Sequence, residues 1–176
     1  MALYVARHGQ TQWNAENRIC GRTDLPLNEV GLQQASALAE KAADCHLDVI
    51  IASPMLRARQ TAQAVAAKCG IPVLTDARLI EQDYGIFEGM DRKTPEFLAN
   101  KRQFAYRYPG GESMMQLAYR VYSFLEEVRG QYGEKNVLLV CHGGVCRVIR
   151  TYFEDMTNEA YAGYSAENVE LVKYTF

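Results

Sequence analysis

The run Leu3-Tyr4-Val5-Ala6, followed at once by Arg7-His8-Gly9, has the composition of a short β-strand ending in a turn. A strand that stops at glycine delivers the preceding side chains to the C-terminal edge of its sheet. Open α/β sheets build their ligand crevices at that edge. Arg7 brings a permanent planar cation suited to phosphate. His8 brings a nitrogen that acts as nucleophile or proton carrier near neutral pH. The pair suggests phosphoryl chemistry, provided more of a phosphate cage lies further along; alone, it also describes a salt-bridged surface turn.

Working outward, strand-like and helix-like segments alternate, the signature of a sheet with helices on its faces. The expected elements are a strand at 3–6, a loop over 10–27, and a helix N-capped by Asn28 that buries Val30, Ala35, Leu38 and Ala42. A doubly buried strand at 48–52 and a helix over 55–69 stopped by Gly70 follow, then an edge strand at 72–75. The stretch 83–113 is the least regular, with a short amphipathic piece near 96–106. Beyond it lie a helix over 113–131, a buried strand at 137–141, a helix from Gly143-Gly144 to about 155, and a last strand at 168–174.

The 176 residues suffice for one domain with a real core, and the net charge of −2 argues against a nucleic-acid or polybasic membrane binder. An anionic substrate must then be drawn in by local arginines. No apolar run approaches a membrane span, and the N-terminus does not read as a signal peptide. Five cysteines, an odd count without C-x-x-C spacing, indicate neither a disulfide framework nor a zinc site, so a reducing cytoplasm is expected.

Three further elements carry chemistry. In Ser53-Pro54-Met55-Leu56-Arg57-Ala58-Arg59-Gln60-Thr61 a helix begins with Arg57 in its first turn, where the helix N-terminus also favours an anion. Arg57 and Thr61 share a face; Arg59 points elsewhere. In Val137 to Gly144 a buried strand ends at His142, with Gly143 and Gly144 where a backbone can approach a ligand. If the three strands are parallel, Arg7, His8, Arg57 and His142 meet at one edge. The third element, Glu81 to Gly89, holds three carboxylates suited to proton donation, and composition does not choose among Glu81, Asp83 and Glu88.

Taken in order, Arg7-His8-Gly9-Gln10-Thr11-x-Trp13-Asn14, Gly21-x-x-Asp24-x-Pro26-Leu27, Ser53-Pro54-x-x-Arg57-Ala58-x-Gln60-Thr61-Ala62, Glu81-x-x-Tyr84-Gly85-x-x-Glu88-Gly89, Gly110-Gly111-Glu112-Ser113 and His142-Gly143-Gly144 resemble the histidine phosphatase (phosphoglycerate mutase-like) superfamily. The resemblance covers residues 3 to about 150 and implies a three-layer α/β/α sandwich with a mostly parallel sheet. It implies one domain over 1–176, with a short cap insertion at about 90–110 over the C-terminal edge. By resemblance, His8 is the nucleophile, Arg7, Arg57 and His142 bind the phosphoryl group, and Glu81 is the proton donor. Asn14 and the Gly143 backbone fall where the family contacts phosphate, Tyr84 and Arg92 where its mutases touch the rest of the substrate, and Gly21 among the substrate-binding positions. The charge is expected to come from two guanidinia and an imidazolium, with no metal or cofactor.

A rival lies in the same strand: Cys141-x-x-Gly144-x-x-Arg147 fits the C-x5-R loop of cysteine-dependent phosphatases, although Val148 stands where that loop carries Ser or Thr. The family also includes mutases, whose long insertion shields the phosphohistidine from water. The short segment from Met90 to Tyr108 favours hydrolysis of a small-molecule phosphate ester. Cap candidates for substrate contact are Arg92, Lys93, Arg102, Phe104, Tyr106, Arg107 and Tyr108. The small size resembles the α-ribazole phosphatase and broad-specificity branch. Cys20 departs from the polar residue usual there, His46 reads as a surface cation near a helix end, and an inert phosphate-binding module is a third reading.

Overall fold

The computed structural model describes residues 2–176. Five strands form one mixed sheet in the order β3-β2-β4-β1-β5, with β1 Ala2–Arg7, β2 Val49–Ala52, β3 Val73–Thr75, β4 Asn136–Cys141 and β5 Leu171–Thr175. The first four are parallel, and β5 runs antiparallel to β1. The central strands β2 and β4 are near-continuous runs of Val, Ile and Leu, buried on both faces as parallel strands require.

Helices cover both faces. On one face α2 (Glu29–Ala43) and α3 (Leu56–Cys69) pack over Ala6, Ile50, Leu138 and Val140. On the other, α5 (Met114–Tyr132) and α6 (Gly143–Phe153) cover Leu3, Val5, Ile51, Val137 and Leu139. The chain is therefore an α/β three-layer sandwich. Local signals set the helix ends: Asn28 and Ser113 accept from backbone amides three residues on, and Gly70 takes the left-handed conformation at φ 71°.

Some expectations are corrected. Val30 is 47% exposed, because capping at Asn28 turns it to solvent while Gly31, Ala35, Leu38, Ala39 and Ala42 form the buried stripe. Gly31 can lie inward because it meets the turn after β1 backbone to backbone; a Cβ on Gly9 would stand 2.5 Å from the Gly31 carbonyl oxygen. The loop at 10–27 contains a four-residue helix, α1 (Gln12–Ala15), closed by a Thr11–Asn14 capping box. A helix α7 (Asn158–Gly163) precedes β5, which starts at Leu171 instead of Asn168.

Between Met90 and Gly110 only α4 (Pro95–Asn100) is regular. Its Phe97 joins Ile19, Tyr84, Phe87 and Tyr108 in a small separate cluster, with Phe97 stacked on Tyr108 at 5.6 Å. That cluster ties the short cap to the carboxylate-bearing loop and to the first loop. Among the described residues no helix is long and apolar enough to cross a membrane.

Candidate active site

Parallel pairing of β1, β2 and β4 sets Arg7 opposite Cys141 and Ala52 opposite Val140, so Arg7-His8, Ser53 and His142 leave the sheet at one edge. His8 is 3% exposed. Its Nδ1 lies 2.7 Å from the Gly9 carbonyl oxygen, an acceptor, so Nδ1 carries the proton and Nε2 a lone pair. The Arg57 Nε–H donates to that lone pair at 3.2 Å. Burial, then the charges of Arg57 and Arg7, push the His8 pKa well below the ordinary imidazole value. His8 is therefore held as a neutral imidazole, with its Nε2 lone pair turned to Arg57.

Arg57 has no exposed surface, and its two Nη groups donate to the Thr23 and Gly21 carbonyls, each at 2.8 Å. It lies in the first turn of α3, whose first free amide, that of Leu56, is satisfied by Asp24 at 2.8 Å, since Met55 offers no side-chain cap. Arg7 Nη1 donates to Ala166 O at 2.8 Å, whereas its Nε is buried with no partner. His142 is also fully buried, with Nε2 2.7 Å from Ser53 Oγ and Nδ1 without a partner. Two unsatisfied polar nitrogens in one buried corner are costly unless a ligand meets them.

The expected imidazolium is corrected. Burial, with Arg57, His8 and Arg7 nearby, holds His142 well below the usual histidine range, so at neutral pH it is an uncharged hydrogen-bonding group. The fixed charge is that of the two arginines. Among the described residues no group of three or more His, Cys, Asp or Glu is placed to hold a metal.

Geometry separates the three carboxylates. Glu81 is 5% exposed and faces the same cavity as Arg7 and His8; its Oε2 accepts from Gly144 N at 3.0 Å and thereby caps α6. A Cβ on Gly144 would stand 2.5 Å from Glu81 Oε1, so only glycine admits this approach. Asp83 accepts from Gly85 N at 2.9 Å, and Glu88 accepts from the amides of Gly21, Arg22 and Thr23; both fold loops. Arg120 braces the Glu81 loop, forking onto Glu112 at 2.8 and 3.0 Å and donating to the Glu81 carbonyl at 3.1 Å.

Of the other candidates, Asn14, Tyr84, Arg92 and Gly143 line the cavity, which has a volume of about 100 Å³. Burial and the Glu81 carboxylate push the Tyr84 phenol well up, keeping it a donor. Gly21 lies behind Arg57 and is not a lining residue. Within the cap, Arg92 lines this cavity; Lys93, Arg102, Tyr106 and Arg107 are exposed, Phe104 packs on the core, and Tyr108 belongs to the aromatic cluster. Cys20 lines the cavity too, its thiol pushed up by burial. His46 is exposed.

Sequence reasoning missed Lys101, Arg147 and Ser165 as lining residues, and Asn168, which donates to the His8 carbonyl at 2.6 Å. The thiol alternative fails on geometry. Cys141 is fully buried in the core, 3.5 Å from the Cys146 sulfur, and burial pushes its thiol well above the usual value.

Comparison with known proteins gives a consistent picture. A profile described as Histidine phosphatase superfamily (branch 1) matches residues 3–176. Over 150 residues the chain is 40% identical to a protein named probable phosphoglycerate mutase GpmB from Escherichia coli O1:K1 / APEC, covering 81% of this chain and 70% of that one. The structure of mycobacterial glucosyl-3-phosphoglycerate phosphatase superposes with a TM-score of 0.86 at 26% identity, over 98% of this chain and 88% of the other. A protein from Thermus thermophilus superposes at 0.78 with 30% identity, over 100% and 94% of the two chains.

Proposed function

The chain belongs to the histidine phosphatase superfamily, and from that premise we propose that it is a phosphomonoesterase that hydrolyses a small-molecule phosphate ester through a phosphohistidine on His8. One observation carries the reading. His8 is held neutral with its Nε2 lone pair on Arg57, beside the buried and unpartnered nitrogens Arg7 Nε and His142 Nδ1. A phosphoryl group supplies the acceptors those nitrogens lack.

The chemistry follows from the residues. Phosphoryl transfer has a loose transition state with charge on three equatorial oxygens, so positioning and charge stabilisation do most of the catalysis. On binding, the phosphoryl oxygens take the donors of Arg57 and Arg7, and the His8 lone pair is released from Arg57. Nε2 attacks phosphorus as the ester P–O bond breaks, and Glu81 gives its proton to the leaving oxygen. Glu81 then takes a proton from water, whose oxygen attacks phosphorus. The P–N bond breaks, His8 is neutral again and inorganic phosphate leaves. The Gly9 carbonyl accepts from Nδ1 throughout, keeping the tautomer fixed.

The short cap favours hydrolysis, since excluding water from a phosphohistidine needs more cover than one six-residue helix. The name of the 40%-identical relative favours a second reading, mutase-type phosphotransfer. An aryl phosphate assay decides between them. Release of inorganic phosphate without added 2,3-bisphosphoglycerate supports the hydrolase; strict dependence on that bisphosphate, with no net phosphate, supports the mutase. Five free thiols, Cys141 and Cys146 in near contact, suit a reducing compartment such as the cytoplasm.

A further inference from the structure

In the buried corner the His8 tautomer follows from the Gly9 carbonyl, and the arginines carry all their protons. The proton of His142 is the one left to place. Burial, with Arg57, His8 and Arg7 nearby, keeps a second proton off this ring, so one nitrogen is a donor and the other a lone pair. Nδ1 is the nitrogen that is buried without a partner. A proton there makes it a donor to a phosphoryl oxygen; a lone pair there repels that oxygen.

Ser53 separates the two cases. It directly follows β2, and its amide donates to the Val140 carbonyl at 2.9 Å, which seats it beside the end of β4 where His142 leaves the sheet. Ser53 has no exposed surface. Among the described residues its Oγ has two partners: it accepts from the Met55 amide at 3.3 Å and lies 2.7 Å from His142 Nε2. A hydroxyl offers one hydrogen and two acceptor positions. Met55 occupies an acceptor position, so His142 Nε2 is the acceptor within reach of the hydrogen. The reverse bond, from Nε2–H to Oγ, strands a buried hydroxyl hydrogen and carries its desolvation cost.

Resting on the phosphatase reading above, we propose that Ser53 is a positioning residue that sets the tautomer of His142: its O–H donates to Nε2, which places the single ring proton on Nδ1 as a donor reserved for the phosphoryl oxygens. The rings of His8 and His142 stand 5.1 Å apart, edge to face. Both carry their proton on Nδ1, but for opposite ends. The Gly9 carbonyl occupies that proton in His8 and frees Nε2 to attack. Ser53 occupies Nε2 in His142 and frees Nδ1–H to donate.

Nuclear magnetic resonance of ¹⁵N-histidine-labelled protein at pH 7.5 tests this, with the His142 signals assigned by their loss in His142→Asn. Wild type is expected to show a protonated Nδ1 and an unprotonated Nε2; any other protonation state overturns the proposal. Ser53→Ala is expected to move the proton wholly or partly to Nε2, and Ser53→Cys, a weaker donor of similar size, serves if the alanine variant does not fold. An unchanged tautomer in the variant overturns the role of Ser53. Asp24→Ala frees the neighbouring Leu56 amide at the start of α3 without touching His142 and is expected to keep the wild-type tautomer. The same shift in Asp24→Ala traces the effect to a loosened helix start and also overturns the role. Inhibition by inorganic phosphate and kcat/KM on an aryl phosphate are each expected to weaken about 10-fold in Ser53→Ala, the worth of one hydrogen bond. In a His142→Asn background the same change is expected to cost little; full additivity contradicts action through His142. The tautomer is read in the resting protein, so it is decided apart from turnover. If no phosphate is released from any ester, the phosphatase reading falls, and titration with inorganic phosphate decides the donor role by whether it moves the Nδ1–H signal.

Discussion

The Nε–H of Arg57 points at the Nε2 lone pair of His8 from 3.2 Å, so one guanidinium both stores the proposed nucleophile and waits for its target. The contact keeps the lone pair partnered in a buried corner, and in the proposed reaction it is surrendered to a phosphoryl oxygen. Arg57→Ala is expected to lower kcat/KM on an aryl phosphate by about 10²–10³-fold, the loss typical of one transition-state donor. Stability should fall by about 1–3 kcal/mol, because the Gly21 and Thr23 carbonyls lose their donor. Steady-state kinetics with urea unfolding checks both; unaltered kcat/KM in a folded variant contradicts the role.

Acid stability follows from the two buried histidines. His8 and His142 are held well below the ordinary imidazole pKa of 6.5 in the fold. The unfolded chain takes up protons near that value and the native one does not. The contribution of these two groups to stability is therefore expected to be complete above pH 6.5 and to be lost as pH falls below it. Urea midpoints measured from pH 7.5 to 5 should decline in wild type. They should flatten over that window in a double variant, His8→Asn with His142→Asn; an identical slope in that variant refutes the assignment.

Arg120 is predicted to act through Glu81. Its bidentate hold on Glu112 and its bond to the Glu81 carbonyl lock the carboxylate-bearing loop. Arg120→Met is expected to cut kcat by up to about 10²-fold on alkyl phosphates, the scale of a small misplacement of a reacting group. Losses should be smaller on activated aryl phosphates, whose leaving group needs no proton. Adding Glu81→Gln should cost little more, because both changes remove one function. Fully additive losses, or losses independent of the leaving group, would mean a merely structural brace.

The sheet was legible because its central strands are apolar runs buried on both faces, and the polar residue following each of β1, β2 and β4 (His8, Ser53 and His142) marks the edge that carries the site. Arg57 was legible from its place in a helix's first turn. What stayed hidden depends on tertiary path. α1 and α7 span four and six residues, too short for a helical period to show. Val30 fits an apolar stripe by spacing, yet the cap at Asn28 rotates it outward. Nothing in the composition of 164–169 marks a clamp, but its backbone carbonyls hold Arg7 and Arg147. There Val169 adopts φ 55°, strained for a β-branched residue, and gives its amide to the Arg7 carbonyl at 3.0 Å. Lys101 and Arg147 stand 46 residues apart and meet only where the cap folds back over α6.

Trapping the phosphoenzyme tests the central claim most directly. Rapid acid-free quenching with a ³²P-labelled ester, followed by peptide mapping, should find an acid-labile, alkali-stable label on His8. That label should be absent in His8→Ala and retained in Cys141→Ser. A label on Cys141, or full turnover by His8→Ala, would contradict the account.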